Sequence, residues 1–169
     1  MDSTIRFHVA ETDLGWVPVT LSDRGLHSIE LPFKTREAAM HSIAESGATD
    51  PATPVESAKV DAMMGNLVAG QPVNGALPID WTGITPFRRE VLEECARIPT
   101  GETKSYGWLA AKVGRPNAAR AVGRVMATNP WPLLIPCHRV VGSTGALHGY
   151  GGGLPLKERL LKIEGAVYA

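Results

Sequence analysis

The stretch NPWPLLIPCHRVVG, residues 129–142, limits the possible folds more than any other part of the chain. Prolines at 130, 132 and 136 lack the N–H that a helix or central strand requires, and they push the residue before each out of helical backbone. The run is therefore extended or turned. Leu133, Leu134 and Ile135 nevertheless demand burial. The result is a thiol, Cys137, held in apolar surroundings next to His138 and Arg139.

Thiolate, not thiol, is the nucleophile, and a neighbouring cation or a histidine that accepts the proton eases its formation. Cys137 has both neighbours in sequence. Adjacent side chains of extended backbone point to opposite faces, so contact between Cys137 and His138 requires a turn or a bridging water. Spacing alone leaves a nucleophilic cysteine and a buried structural cysteine both open. A base also needs a group to orient it. The last helical pattern, Pro155–Glu164, offers Glu158 and Glu164. Glu164 sits beside Gly165 at the helix end, where the dipole disfavours a carboxylate, so it has either a separate purpose or simple solvation. Between these motifs, the Gly-rich run 142–153 allows close backbone approach to a flat ligand, with Tyr150 available to cover one face; a plain surface loop is the alternative. It is not a dinucleotide fingerprint, because no strand-to-helix GxGxxG context precedes it.

The remainder of the 169 residues, 44% hydrophobic and 20% charged, can bury a real core and divides near Asp80. Residues 1–80 are predicted to form a small antiparallel sheet of three strands, Ile5–Ala10, Val17–Leu21 and Leu26–Leu31, with a turn at Arg24-Gly25. Helices follow from Thr35 to Gly47 and around Ser57–Val68, separated by a Pro- and Ser-containing connector. In residues 81–169, Thr85-Pro86 starts a helix whose stripe is Phe87, Val91, Cys95 and Ile98; on that stripe Cys95 reads as a small core hydrophobe. Ser105–Val113 and Ala118–Ala127 are two further helices joined by GRPN, the pattern of a helix-turn-helix or of any helical hairpin. Only two cysteines occur, too few for a disulfide framework and with no CxxC pair; with no apolar run long enough for a membrane helix and no signal-peptide pattern, the chain reads as cytosolic.

Charge divides along the same line. Residues 1–80 hold five Lys/Arg against eleven Asp/Glu, and residues 81–169 hold twelve against six, although the whole chain is neutral. From Thr103 to Lys157 there is no acidic residue, while Lys104, Lys112, Arg115, Arg120, Arg124, Arg139 and Lys157 supply seven cations. A phosphate backbone would be attracted to such a stretch, and a solvated basic face is the alternative.

Taken together, SYGWLA with Tyr106, AARAVG at 118–123, Asn129-Pro130, PCHRVVG at 136–142, the Tyr150-Gly-Gly-Gly loop and the final LLKIEG resemble the O6-alkylguanine-DNA alkyltransferases, the methylated-DNA–protein-cysteine methyltransferases. The motifs lie in that family's order, strongly over residues 81–165 and weakly over the first 80. The resemblance implies a ribonuclease-H-like α/β N-terminal domain, residues 1–80, and a mostly helical DNA-binding and alkyl-transfer domain, residues 81–169. It implies that Cys137 takes the alkyl group of O6-alkylguanine, and possibly of O4-alkylthymine, once and irreversibly, without a cofactor. His138 would deprotonate Cys137 through a water, Glu164 would hold the imidazolium, Tyr106 would serve the leaving base, and Asn129 would brace the turn. The damaged base would be flipped from double-stranded DNA gripped by its minor groove. Arg120 would fill the gap, Ala119 and Ala121 would let the helix sit close, and Arg124, Lys104 and Tyr106 would add DNA contacts. Val140, Ser143, Tyr150, Gly151 and Met126 would line the alkylguanine pocket. Some members carry an N-terminal zinc site, which the absence of cysteine before Cys95 rules out here; His8, His27 and His41 read as surface residues. No membrane and no obligate protein partner are expected, and the location would be cytoplasmic, at the nucleoid in a bacterium. Related alkyltransferase-like proteins bind alkylated DNA without repairing it, but they lack the cysteine. A cysteine hydrolase built on Cys137, His138 and Glu164 is the remaining enzyme reading.

Overall fold

Alternating apolar residues in the N-terminal third fold into two tight hairpins. In the computed structural model, which describes residues 4–73, 77–147 and 149–166, β1 (Arg6–Thr12) pairs antiparallel with β2 (Gly15–Ser22), and β2 pairs with β3 (Gly25–Ile29). The chain divides into two units, Met1–Thr82 and Gly83–Ala169.

The sheet of the first unit is mixed rather than purely antiparallel. A two-residue strand, β4 (Asp50–Pro51), adds parallel to β1, giving the order β3-β2-β1-β4. It lies in the segment predicted to be a connector. Two residues, one of them proline, carry no alternation to read, and the pairing is sealed outside the strand, where the Ala52 N–H donates to the Phe7 carbonyl at 2.8 Å. Helix α1 (Arg36–Ser46) begins at Thr35, whose hydroxyl accepts from the Ala38 N–H, and ends at Gly47 with φ 85°. Helix α2 (Pro54–Val68) starts three residues ahead of the predicted Ser57 because Thr53 and Glu56 form a capping box in front of Pro54.

Strand β2 is buried along both faces. Val17, Val19 and Leu21 are at most 1% exposed, and Thr20 and Ser22 are 4% exposed. α1 packs on β2 and α2 on β1, burying Ala39, Ile43, Val60, Met63 and Met64. Arg6 ties β1 to α2, donating from Nε and Nη2 to Glu56 at 3.0 and 2.8 Å. The hydrogen bond from Arg6 and that from the Thr53 N–H hold the Glu56 carboxyl at about 2.

In the second unit, α3 (Pro86–Ala96) is capped by Thr85 and buries Val91, Leu92 and Cys95, with Ile98 just beyond its end. Phe87, the first residue of the predicted stripe, is half-buried under the Arg115 guanidinium. α4 (Tyr106–Lys112) and α5 (Ala119–Ala127) pack on each other and on α3. Strands β5 (Lys104–Ser105) and β6 (Val140–Val141) pair in parallel, and α6 (Leu154–Ile163) closes the unit. The β5–β6 pairing matters most for function, because it sets the first residue of α4, Tyr106, beside the chain just after Cys137.

Gly25 has φ +132°, and a Cβ built there lies 2.1 Å from the Pro78 carbonyl oxygen, the group that accepts from the Leu26 N–H. Gly65 within α2 has open space at the same position. We predict opposite signs in urea denaturation: Gly25→Ala lowers stability by more than about 1 kcal/mol, whereas Gly65→Ala raises it by roughly 0.5–1 kcal/mol.

Candidate active site

The proline run forms a self-bonded loop rather than a strand. Asn129 is its brace: Nδ2 donates to the Ile135 carbonyl at 2.9 Å, and Oδ1 accepts from the Trp131 N–H at 2.9 Å. The Ile135 N–H returns to the Trp131 carbonyl, and Trp131 and Ile135 are each 1% exposed. Leu133 adopts φ 75°, a left-handed conformation that costs a side-chain-bearing residue free energy and that these bonds enforce. Beyond Pro136 the backbone closes into a three-residue 3-10 turn, Cys137–Arg139. The sequence expectation that Cys137 and His138 sit on a turn rather than on extended backbone is met.

Both side chains are out of water, Cys137 at 6% and His138 at 2% exposure. His138 Nε2 lies 2.7 Å from Glu164 Oε1. Since an ionised carboxylate only accepts, Nε2 carries the proton and donates. The other ring nitrogen, Nδ1, is buried with no hydrogen-bond partner among the described residues. Arg139 grips the same carboxylate, Nε donating to Oε2 at 3.0 Å and Nη2 to Oε1 at 2.9 Å. Burial alone would raise the Glu164 carboxyl, but the hydrogen bonds from His138 and Arg139 outweigh it and hold the group at about 2. The Cys137 thiol moves the other way: burial pushes it up, against a hydrogen bond from the Asn129 side chain and the nearby Lys157 charge. The sequence suggested that neighbouring cations would ease ionisation. Burial prevails, so the thiol rests protonated.

Other groups converge on the same place. Burial, followed by the proximity of Cys137 and Cys95, raises the Tyr106 phenol, which keeps it a proton donor. The Tyr150 phenol is raised by burial and by Cys137 and Glu164, and its hydroxyl has no partner among the described residues. Val140 is fully buried, and its carbonyl accepts from Lys157 Nζ at 2.8 Å. Ser143 and Gly151 are exposed, and Met126 is buried alongside Val122 and Val125 on α5. On α5, Arg120 and Arg124 are exposed and Ala119 and Ala121 half-buried. Among the described residues no group of three or more His, Cys, Asp or Glu could hold a metal, and no helix is long and apolar enough to cross a membrane.

The sequence reading missed two inward-facing cations. Arg139 and Lys157 were counted with the basic stretch, but Arg139 is spent on Glu164 and Lys157 is 0% exposed. Five of the seven cations therefore remain for a polyanion. Lys104 and Lys112 flank the Trp108 ring, 5.0 and 5.5 Å from its centroid.

The model of the 6-O-methylguanine DNA methyltransferase DNA-binding domain matches residues 86–166. A methylated-DNA–protein-cysteine methyltransferase of Mycolicibacterium paratuberculosis is 34% identical over 160 residues, covering 95% of this chain and 92% of that protein. This chain belongs to the methylated-DNA–protein-cysteine methyltransferase family. The Salmonella typhimurium methyltransferase is 54% identical over 84 residues, and that match spans only about half of each protein, 50% of this chain and 49% of the relative. Among solved structures, the Mycobacterium tuberculosis O6-methylguanine methyltransferase superposes with a TM-score of 0.73 at 33% identity, covering 95% of this chain and 93% of that one. The same mycobacterial protein in complex with DNA gives a TM-score of 0.71 at 33% identity. The small mixed sheet and six helices of the described residues are thus similar in fold to the methyltransferase structures.

In this chain, Glu164 links stability to pH with a definite sign. Its folded value, about 2, lies below the ordinary 4.5, so its contribution is complete above about 4.5 and is lost as pH falls toward 2. Urea denaturation of the wild type and Glu164→Gln at pH 6, 4 and 3 is expected to show the wild type ahead at pH 6, with the gap narrowing as the solution is acidified.

Proposed function

We propose that this chain repairs DNA by direct reversal, moving the O6-alkyl group of guanine in double-stranded DNA to Cys137 in a single irreversible event. The observation that carries this reading is the unpartnered Nδ1 of His138, buried in the same turn as the Cys137 thiol while Nε2 is committed to Glu164. The Cys137 proton passes to Nδ1 through a bridging water, and the imidazolium is stabilised by the Glu164 carboxylate. The thiolate attacks the alkyl carbon in line: an S–C bond forms as the C–O6 bond breaks. The departing guanine anion takes a proton, with the Tyr106 hydroxyl as donor. The thioether has no easy leaving reaction, so the protein is consumed. No cofactor or metal enters any step.

Guanine O6 is inside the stacked duplex, so the base must leave it, at a cost of roughly a few kcal/mol. In our reading, residues 83–169 form the DNA-binding unit. α4 and α5 act as a helix-turn-helix that enters the minor groove, exposed Arg120 replaces the flipped base, and Ala119 and Ala121 allow close approach. Arg124 and Lys104 meet phosphate, and Tyr150, Gly151, Val140, Ser143 and Met126 enclose the base. The first unit, residues 1–82, takes the ribonuclease-H-like form. The DNA substrate places the protein in the cytoplasm, at the nucleoid in a bacterial cell.

Incubating limiting protein with excess duplex carrying one O6-methylguanine, and counting the lesion nucleoside lost, is expected to plateau at one lesion per chain, with none lost for Cys137→Ser. Continued turnover overturns the reading, and lesion-selective binding without loss points instead to a non-repairing sensor. The Arg120 role has its own signature. Arg120→Ala slows repair in duplex DNA at least about tenfold, because it loses more than about 1.4 kcal/mol of extrahelical stabilisation, yet leaves transfer from free O6-benzylguanine within twofold. Equal losses on both substrates contradict the finger role.

A further inference from the structure

Glu164 accepts three hydrogen bonds inside the protein, and only one comes from His138. Arg139 supplies the other two, so the carboxylate that orients the base is shared with a permanent cation. The guanidinium is itself fixed from two further directions: Nη1 donates to the Ile98 carbonyl at 2.7 Å, and Nη2 to the Thr100 hydroxyl at 3.1 Å. Its side chain is 12% exposed and that of Glu164 is 3% exposed. A single residue therefore joins the chain just after α3, the active-site turn and the end of α6.

We propose that Arg139 is a positioning residue for alkyl transfer, which fixes the Glu164 carboxylate and offsets its charge so that His138 stays unprotonated at Nδ1 and able to receive the Cys137 proton. The inference rests on Cys137 as the alkyl acceptor with His138 as its base.

The argument is electrostatic and geometric. A buried carboxylate that faced only His138 would attract a second proton onto the imidazole through nearly its full charge, in a setting where charges are weakly screened. A doubly protonated imidazole has no lone pair for the thiol proton. Two N–H donors from Arg139 withdraw part of that attraction and leave enough to stabilise the imidazolium once the proton has moved from Sγ to Nδ1. The planar guanidinium also holds both carboxylate oxygens in one orientation, which keeps Oε1 under Nε2 and so directs Nδ1 away from Glu164. A lysine keeps the charge but not the fork.

The other titratable groups around this pair are few. Cys137 precedes His138 in the turn, Lys157 reaches in from α6, Cys95 lies on α3, Tyr106 opens α4 and Tyr150 comes from the loop before α6. Lys157 is the only other cation among the described residues that these relations place near the thiol, and its ammonium is bonded to the Val140 carbonyl rather than to Glu164. No other side chain is hydrogen-bonded to Glu164 among the described residues.

The test is the pH dependence of single-event transfer from free O6-benzylguanine to the full-length protein, wild type beside Arg139→Gln and Arg139→Lys. Lesion-duplex binding and circular dichroism of each variant are recorded in parallel. Removing the fixed charge lets the imidazole hold its proton to higher pH, so the acid limb of the Arg139→Gln profile moves upward by at least about one unit, a tenfold loss of rate at a pH on that limb. Arg139→Lys keeps the limb within about half a unit of wild type while lowering the plateau rate severalfold. Lesion-duplex binding stays within twofold for both. Coincident acid limbs in a folded Arg139→Gln protein, or a downward shift, overturn the inference. Absence of transfer by the wild type at every pH overturns the underlying function instead.

Should Arg139→Gln not fold, the wild type still decides the matter through histidine ring 15N shifts at pH 7.5. A His138 ring protonated at Nε2 and bare at Nδ1 supports the inference, and a ring protonated at both nitrogens contradicts it.

Discussion

Glu164 keeps its charge with a side chain 3% exposed, and the rest of the second unit is arranged around that fact. An uncompensated carboxylate in such a place would be neutralised, because desolvation favours the protonated acid. Three internal hydrogen bonds reverse the balance. The donors come from the 3-10 turn, so the turn has to lie against the end of α6, and Arg139 has to reach back to Ile98 and Thr100 beyond α3. The catalytic geometry and the packing of the unit are one set of constraints.

The proline run makes the same point from the other side. A stretch that can be neither helix nor strand is held by Asn129, by its own carbonyls and by Trp131 sunk into the core. That rigidity tolerates the left-handed backbone of Leu133 and holds Cys137 out of solvent, where burial raises the thiol. A thiol raised by burial is protected from casual oxidation and alkylation, since reactivity follows the thiolate. In the reaction we propose, it becomes a nucleophile only when its proton has somewhere to go, and His138 is the base proposed to receive it.

Much of this was legible in the chain because local chemistry agreed with the final fold. Thr35 and Gly47 bracket α1, Thr85-Pro86 opens α3, and the stripe from Val91 to Ile98 is buried as its spacing indicates. Glu164 at a helix C-terminus, against the dipole, left a special purpose and simple solvation both open, and only its partners, His138 and Arg139, show that it is not a solvated helix end. Strand β4 was not legible: two residues, one a proline, acquire their pairing only from the neighbouring β1. Arg139 and Lys157 were misread as surface charge because a long basic side chain gives no local sign of turning inward. Only their partners, a carboxylate 25 residues away and the Val140 carbonyl, show it. The inward turn also sharpens the electrostatic picture, since the five cations of the 103–157 stretch that remain outward lie on or beside α4 and α5.

The most direct measurement is the intact mass of the protein after mixing it with an equimolar duplex that carries one O6-methylguanine, followed by peptide mapping and a Cys137→Ser control. The account predicts the replacement of one hydrogen by one methyl group, confined to Cys137 and saturating at one per molecule. An unchanged mass while the protein binds the lesion, or a methyl group on Cys95, would contradict it.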